Sequence, residues 1–189
     1  GTAARDSAPA PAGFAAVPFI GSFKPSARAQ TAGAPVTVTI AKLDNEPNMR
    51  IIQVWRGKPV WIFKRTPEQL AVLPGLNPRL ADPNSTNADQ TPAFARNPDR
   101  TIKGTETIGV IVGICTHLGC SPTYFPEMVP QPFDPEWQGG FYCPCHQSRF
   151  DMAGRVFKGV PAPSNLEVPP YHYPDDNTIV IGVAPEGAV

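Results

Sequence analysis

From residue 36 the chain alternates. "VTVTI" (36–40) puts Val36, Val38 and Ile40 on one face and Thr37 and Thr39 on the other, the period-two pattern of a half-buried strand. "MRIIQVWRGKPVWIFKRT" (49–66) continues with two strand-like apolar runs around "RGKP", where Gly57 and Pro59 punctuate a predicted hairpin. In "TPEQLAVL", Thr66 is a candidate N-cap, Pro67 the first helical residue and Gln69 the third residue on. That spacing predicts a short helix ended near Pro74 and Gly75. The polar, Pro-rich "NPRLADPNSTNADQTPAFARNPDR" reads as a long surface loop. "TIGVIVGI" (107–114) is a continuous β-branched run, so a strand, and "NTIVIGV" near the end is a last one. Between them "RVFKGVPAPSNLEVPPYHY" reads as a Pro-rich loop, and no internal repeat is visible.

The start of the chain follows another pattern. Residues 13–23, "GFAAVPFIGSF", are apolar but only about half as long as a bilayer crossing requires. Two readings stay open: an Ala-rich tail, or the end of a transmembrane helix. A signal peptide fits less well, because no basic stretch precedes a proper apolar core. "KPSARAQTAGAP" (24–35) has no apolar period and reads as a linker.

Composition narrows the class. Sixteen Lys and Arg balance sixteen Asp and Glu, so no basic field is available to recruit nucleic acid. The 25 prolines and 16 glycines accompany 41% hydrophobic residues, which describes a loop-rich, mostly β globular protein rather than a disordered one. With 189 residues there is room for one well-packed domain, with or without a small inserted subdomain, and a tail.

All four cysteines and two of the three histidines lie in two short pieces, "CTHLGC" (115–120) and "CPCHQSRF" (143–150). Three chemistries compete for them. A structural zinc ion would use four of the six groups, but zinc-finger spacing puts two cysteines in one piece and two histidines in the other, whereas each piece here carries both types. A redox dithiol calls for C-x2-C, while "CPC" is C-x-C and both histidines would be idle. A 2Fe-2S cluster with two cysteines on one iron and two histidines on the other employs Cys115, His117, Cys143 and His146 and leaves Cys120 and Cys145 free to pair.

C-T-H-L-G-C followed by C-P-C-H-x-S resembles the Rieske iron-sulfur subunit of cytochrome bc1 complexes, in its bacterial form. The flanks "AAVPFIGSF", "WRGKPVWIFKRTPE", "AGRVFKGVPAPSNLEVPPY" and "TIVIG" share the resemblance. It implies a mostly β fold: a Rieske-type antiparallel β-sandwich base (head, 36–189) with a small cluster-binding subdomain inserted at about 114–163. An N-terminal membrane-anchor helix or its remnant (1–24) and a flexible hinge (25–35) would precede it. It implies one 2Fe-2S cluster, with Cys115 and Cys143 on the inner iron, His117 and His146 on the outer, and a Cys120–Cys145 disulfide joining the loops. Neutral imidazoles in place of two thiolates make the cluster less negative and raise its potential from about −400 mV to about −150 to +300 mV.

The implied activity is quinol:cytochrome c oxidoreduction. The head would accept an electron and a proton from quinol, with ubiquinol the expected donor, at cytochrome b, where His146 contacts the quinol. It would then swing to reduce cytochrome c1 and so contribute to proton-motive force. The setting would be a dimeric complex in the bacterial inner membrane, head on the periplasmic side. Leu118, Pro161 and Pro163 would cover the cluster, the two prolines from "GVPAPSN" (159–165), and Ser148 would donate a hydrogen bond to a cluster sulfide. Two residues depart from the family pattern: Gln147 stands where Gly is usual, and Phe150 where a Tyr would donate to a cysteine sulfur. The second change should lower the potential.

The remaining features have plainer readings. His172 reads as a surface or packing residue, Trp55, Trp61 and Trp137 as packing, and "PTYFPEMVPQPFDPEWQGG" between the motifs as surface decoration or a subunit contact. A soluble Rieske ferredoxin or an oxygenase cluster domain would carry the same ligands, but those domains generally lack the second cysteine pair.

Overall fold

A computed structural model describes residues 33–46 and 48–187. The anchor and almost all of the hinge expected from the sequence lie outside that range. No helix of the described residues is long and apolar enough to cross a membrane.

Among the described residues, nine strands form three antiparallel three-stranded sheets: β1 (Val36–Thr39), β9 (Thr178–Ile181) and β8 (Tyr171–Asp175); β2 (Arg50–Trp55), β3 (Lys58–Lys64) and β4 (Ile108–Val112); β5 (Thr123–Phe125), β6 (Gly140–Cys143) and β7 (Ser148–Asp151). The alternation in "VTVTI" appears as predicted, with Val38 and Ile40 buried and Thr37 and Thr39 exposed. The β2–β3 hairpin is tighter than "RGKP" suggests. Arg56 and Gly57 alone make the turn, both at positive φ, and Lys58 and Pro59 already belong to β3. Two left-handed residues give the twist that a two-residue hairpin requires.

Helix α1 (Pro67–Val72) starts with the expected capping box: Thr66 Oγ1 accepts from Gln69 N–H, and Gln69 Oε1 accepts from Thr66 N–H. It ends earlier than predicted and runs on as a 3-10 turn, Leu73–Arg79. The stretch after it is no plain surface loop. Ser85, Thr91 and Arg100 are fully buried, and Arg100 donates to the carbonyls of Ala153 (3.1 Å), Gly154 (3.1 Å) and Leu166. β8 corrects another expectation, since "YHYPD" forms a strand where the sequence suggests a loop. It is a sheet-edge strand with a register irregularity between His172 and Asp175, the setting in which a strand accepts Pro174.

One apolar core receives Val38, Ile179 and Ile181 from the first sheet, Val60, Ile62 and Phe63 from the second and Phe141 and Phe150 from the third. Trp61 stacks on Phe141 at 5.4 Å, so the third sheet is seated on β3. At the end of β4, a Cβ on Gly113 would come within 2.0 Å of the Trp61 indole, so only glycine lets the strand lie flush there as it leads to Cys115.

Candidate metal centre

The two motif pieces form two loops at one end of the third sheet. The first follows β4. Its turn closes by Cys115 N–H donating to Cys120 O (2.8 Å) and Gly119 N–H to Cys115 O (3.0 Å), and Gly119 takes the left-handed φ of +83° that this turn demands. The second joins β6 to β7, with Cys143 paired in register to Ser148 and Gln147 N–H donating to Cys143 O (2.9 Å). Gln147 takes φ +63°, a conformation glycine adopts without cost and glutamine does not.

Strand alternation sorts the third sheet into two faces. Phe141, Cys143, Ser148 and Phe150 share the face toward the core, while Tyr142 and Arg149, cross-strand partners, share the reverse face. Cys115 (2% exposed) and Cys143 (1%) are free thiols at the bottom of the space between the loops. Nearer solvent, the His117 and His146 rings stand perpendicular with centroids 4.7 Å apart. Cys120 and Cys145 are joined in a disulfide, their Cα atoms 6.7 Å apart.

This arrangement narrows the competing chemistries. The sulfurs of Cys120, Cys143 and Cys145 lie within 4.8 Å of one another. Two of those three are oxidised to a disulfide, and metal binding needs thiolates. Four-cysteine zinc is therefore excluded by the bond itself. The donors left are two buried thiols and two imidazoles. Burial pushes the Cys115 thiol up; the His117 backbone N–H opposes this, the adjacent Cys143 thiol adds to it, and the Ser148 hydroxyl again opposes it. Two neighbouring buried thiols become thiolates only if a cationic centre compensates them. His117 Nδ1, on the same loop as Cys115, is buried without a hydrogen-bond partner. The donor set thus fits a two-iron centre with mixed sulfur and nitrogen ligation.

Leu118 is 70% exposed at the crest of the first loop. Pro161 and Pro163 are exposed on the loop 159–165, with Ala162 turned inward between them. That loop is pinned at two points: Ala162 N–H donates to Ser148 Oγ (3.0 Å), and Thr116 Oγ1 donates to Ser164 O (2.6 Å). His172, away from this site on β8, has its Nδ1 3.2 Å from Val183 O.

The profile of the Rieske [2Fe-2S] domain matches residues 86–171. The ubiquinol-cytochrome c reductase iron-sulfur subunit of Allochromatium vinosum is 54% identical over 90% of this chain and 80% of its own length. This chain belongs to that Rieske subunit family. The Bradyrhizobium diazoefficiens protein of the same name is 38% identical over 95% of this chain and 90% of its own length. A solved structure titled "Hyperthermophilic respiratory Complex III" aligns at 22% identity and a TM-score of 0.48, covering 88% of this chain and 94% of that one.

Some residues that build this Rieske site carried no signal in the sequence. Asp151, the last residue of β7, and Arg155 form a fully buried ion pair at 2.7 Å, and Arg155 also donates to Leu73 O (2.8 Å) and Asn77 Oδ1 (2.9 Å). The i, i+4 spacing was the one available hint, and it is common on exposed surfaces. The segment between the motifs also differs from the expected decoration. Trp137 is buried in a second apolar core with Leu76, Leu80 and Phe157, and Asp134 is buried as well.

Proposed function

We propose that this chain is the electron-transfer head of a quinol:cytochrome c oxidoreductase. It takes an electron and a proton from quinol, ubiquinol being the expected donor, at a cytochrome b subunit and delivers the electron to cytochrome c1. Cys115 and Cys143 would hold the inner iron of its 2Fe-2S centre, His117 and His146 the outer. When bound, that centre supplies one-electron transfer at a potential raised by its two neutral imidazole ligands.

The observation that carries this reading is the division of labour among six residues: two buried free thiols, two imidazoles between them and solvent, and a disulfide that joins the loops. The residues then have separable tasks. Ser148 accepts from Ala162 N–H, its hydroxyl favours the Cys115 thiolate, and it would donate to a cluster sulfide. Leu118, Pro161 and Pro163 exclude water from the imidazoles until a partner surface covers them. His146, exposed at the crest, offers the ring nitrogen not used for iron to the quinol hydroxyl, holds that hydrogen bond and receives the proton.

The base would be the two-sheet sandwich of the Rieske fold, anchored through residues 1–24 and a hinge at 25–35 in a dimeric complex of the bacterial inner membrane, head on the periplasmic side. Purification of the full chain from its native membranes should bring b-type and c-type haem with it. Recovery of an intact cluster protein free of both haems would instead indicate a soluble carrier. His146→Ala should abolish both the Rieske signal and quinol oxidation; retention of both at normal levels would contradict its role.

A further inference from the structure

The reverse face of the third sheet carries a polar assembly that the proposed electron transfer does not use. Residues 131–137 fold beneath β6 and β7. The Phe133 ring stacks on Tyr142 at 4.0 Å and 7°, and Trp137, 1% exposed, meets it edge-on at 5.1 Å and donates its indole N–H to Phe125 O (3.1 Å).

Asp134 sits within this apolar packing, 1% exposed. Its Oδ2 accepts from Arg79 Nη2 (2.5 Å) and Arg149 Nη1 (3.2 Å), and its Oδ1 accepts from Glu136 N–H (3.0 Å). Arg149 Nη1 also donates to Phe133 O (3.1 Å), and both guanidiniums lie over the Phe157 ring. A carboxylate is driven into an apolar setting only when its partners are in place, and removal of one partner leaves an uncompensated charge.

Arg149 gives this network its significance. It lies between Ser148 and Phe150, which face the core, so its own side chain is held on the opposite side of the same strand. It also lines a small cavity of about 220 Å³ together with His146, Gln147, Phe133, Val160 and Pro161. The second loop is thus gripped twice, by the disulfide to the first loop and by Asp134 through Arg149 from behind. Mere decoration would need no buried acid paired to two arginines drawn from distant parts of the chain.

We infer that Asp134 is a positioning residue: by holding Arg149 it fixes β7, and with it the places of Ser148 and His146 at the metal centre. The inference rests on the ligand assignment proposed above. Asp134→Asn leaves the shape of the side chain and removes its charge.

In the full chain within its membrane complex, Asp134→Asn should shift the g-values of the reduced centre and raise its midpoint potential, because a negative charge beside the loop is lost. It should also speed dithiothreitol reduction of Cys120–Cys145 several-fold under native conditions. Glu136→Gln, altering an exposed acid that also approaches Arg79 (3.7 Å), should change none of these. A lowered unfolding temperature with wild-type g-values, potential and disulfide reactivity would make Asp134 a stabilising residue only and overturn the inference.

Should Asp134→Asn fail to accumulate, Arg149→Lys keeps the charge but loses the planar fork, and it should shift the g-values. Wild-type values there would equally overturn the inference. Absence of a Rieske signal in the unaltered protein would instead defeat the proposed function, so the two failures are distinguishable.

Discussion

The base of the molecule and its metal-binding end are held together by different means. In β3, Val60, Trp61, Ile62 and Phe63 are all almost wholly buried, and the base is cohesive because apolar surface leaves water. At the metal-binding end His146, Leu118, Pro161 and Pro163 stand at the surface. Exposed groups cannot stabilise a fold by burial. Here individual bonds take over: the Cys120–Cys145 disulfide, the Ser148–Ala162 and Thr116–Ser164 pins, and the buried carboxylates Asp151 and Asp134 with their arginines. Hence a single substitution at this end should remove a specific link, while one in the base should only dilute a shared core.

The largest expected effect lies at the junction of the two regions. Asp151→Ala strands the Arg155 guanidinium among neutral acceptors, and breaking a fully buried pair costs about 3–5 kcal/mol. Chemical unfolding should show that loss, and a cost below about 1 kcal/mol would mean the pair is not a keystone. Next comes Cys145→Ser, which opens a loop of sequence separation 25 and should cost about 3 kcal/mol. It should also weaken or erase the Rieske signal, since the second loop loses its covalent tie. Ile62→Val makes the contrasting test in the base: about 1 kcal/mol of stability lost, with the signal unchanged. An equal spectral change from both variants would erase the distinction between the regions.

How far the sequence could be read follows the same division. The strands of the base were visible because alternation and β-branched runs report burial directly, as in "VTVTI" and "TIGVIVGI". The Thr66 capping box was visible because its chemistry is local. β5, β6, β7 and β8 were not, since strands of three or four residues and a Pro-bearing edge strand carry too little periodicity to stand out.

The positions of the six ligand-type residues were legible from motif spacing and resemblance. Their supports were not. Asp134, Arg100 and Arg155 look like surface charges in the sequence, and each becomes buried only because partners 50 or more positions away complete its hydrogen bonds, as Asp134 does with Arg79 at 55 and Arg155 with Leu73 at 82. Phe150, recognised as a departure, proves fully buried on the face it shares with Cys143 and Ser148. That setting agrees with a substitution acting on the centre rather than on the surface.

The smallest expected effect is a gain. Gln147 stands at φ +63° beside His146, so Gln147→Gly should relieve backbone strain and stabilise the second loop by about 1 kcal/mol or less, after the added flexibility of the unfolded chain is offset. Thermal unfolding would register a slightly raised midpoint; a drop would show that the glutamine side chain contributes more than its backbone costs.

The central claim, that Cys115, His117, Cys143 and His146 hold a mixed-ligand 2Fe-2S centre, is tested most directly by a redox titration of the full-length protein followed by EPR. The expected result is a single one-electron wave between about −150 and +300 mV, shifted upward in Phe150→Tyr, in a protein carrying two irons. A wave near the roughly −400 mV of all-cysteine clusters, or zinc with no EPR signal, would contradict it.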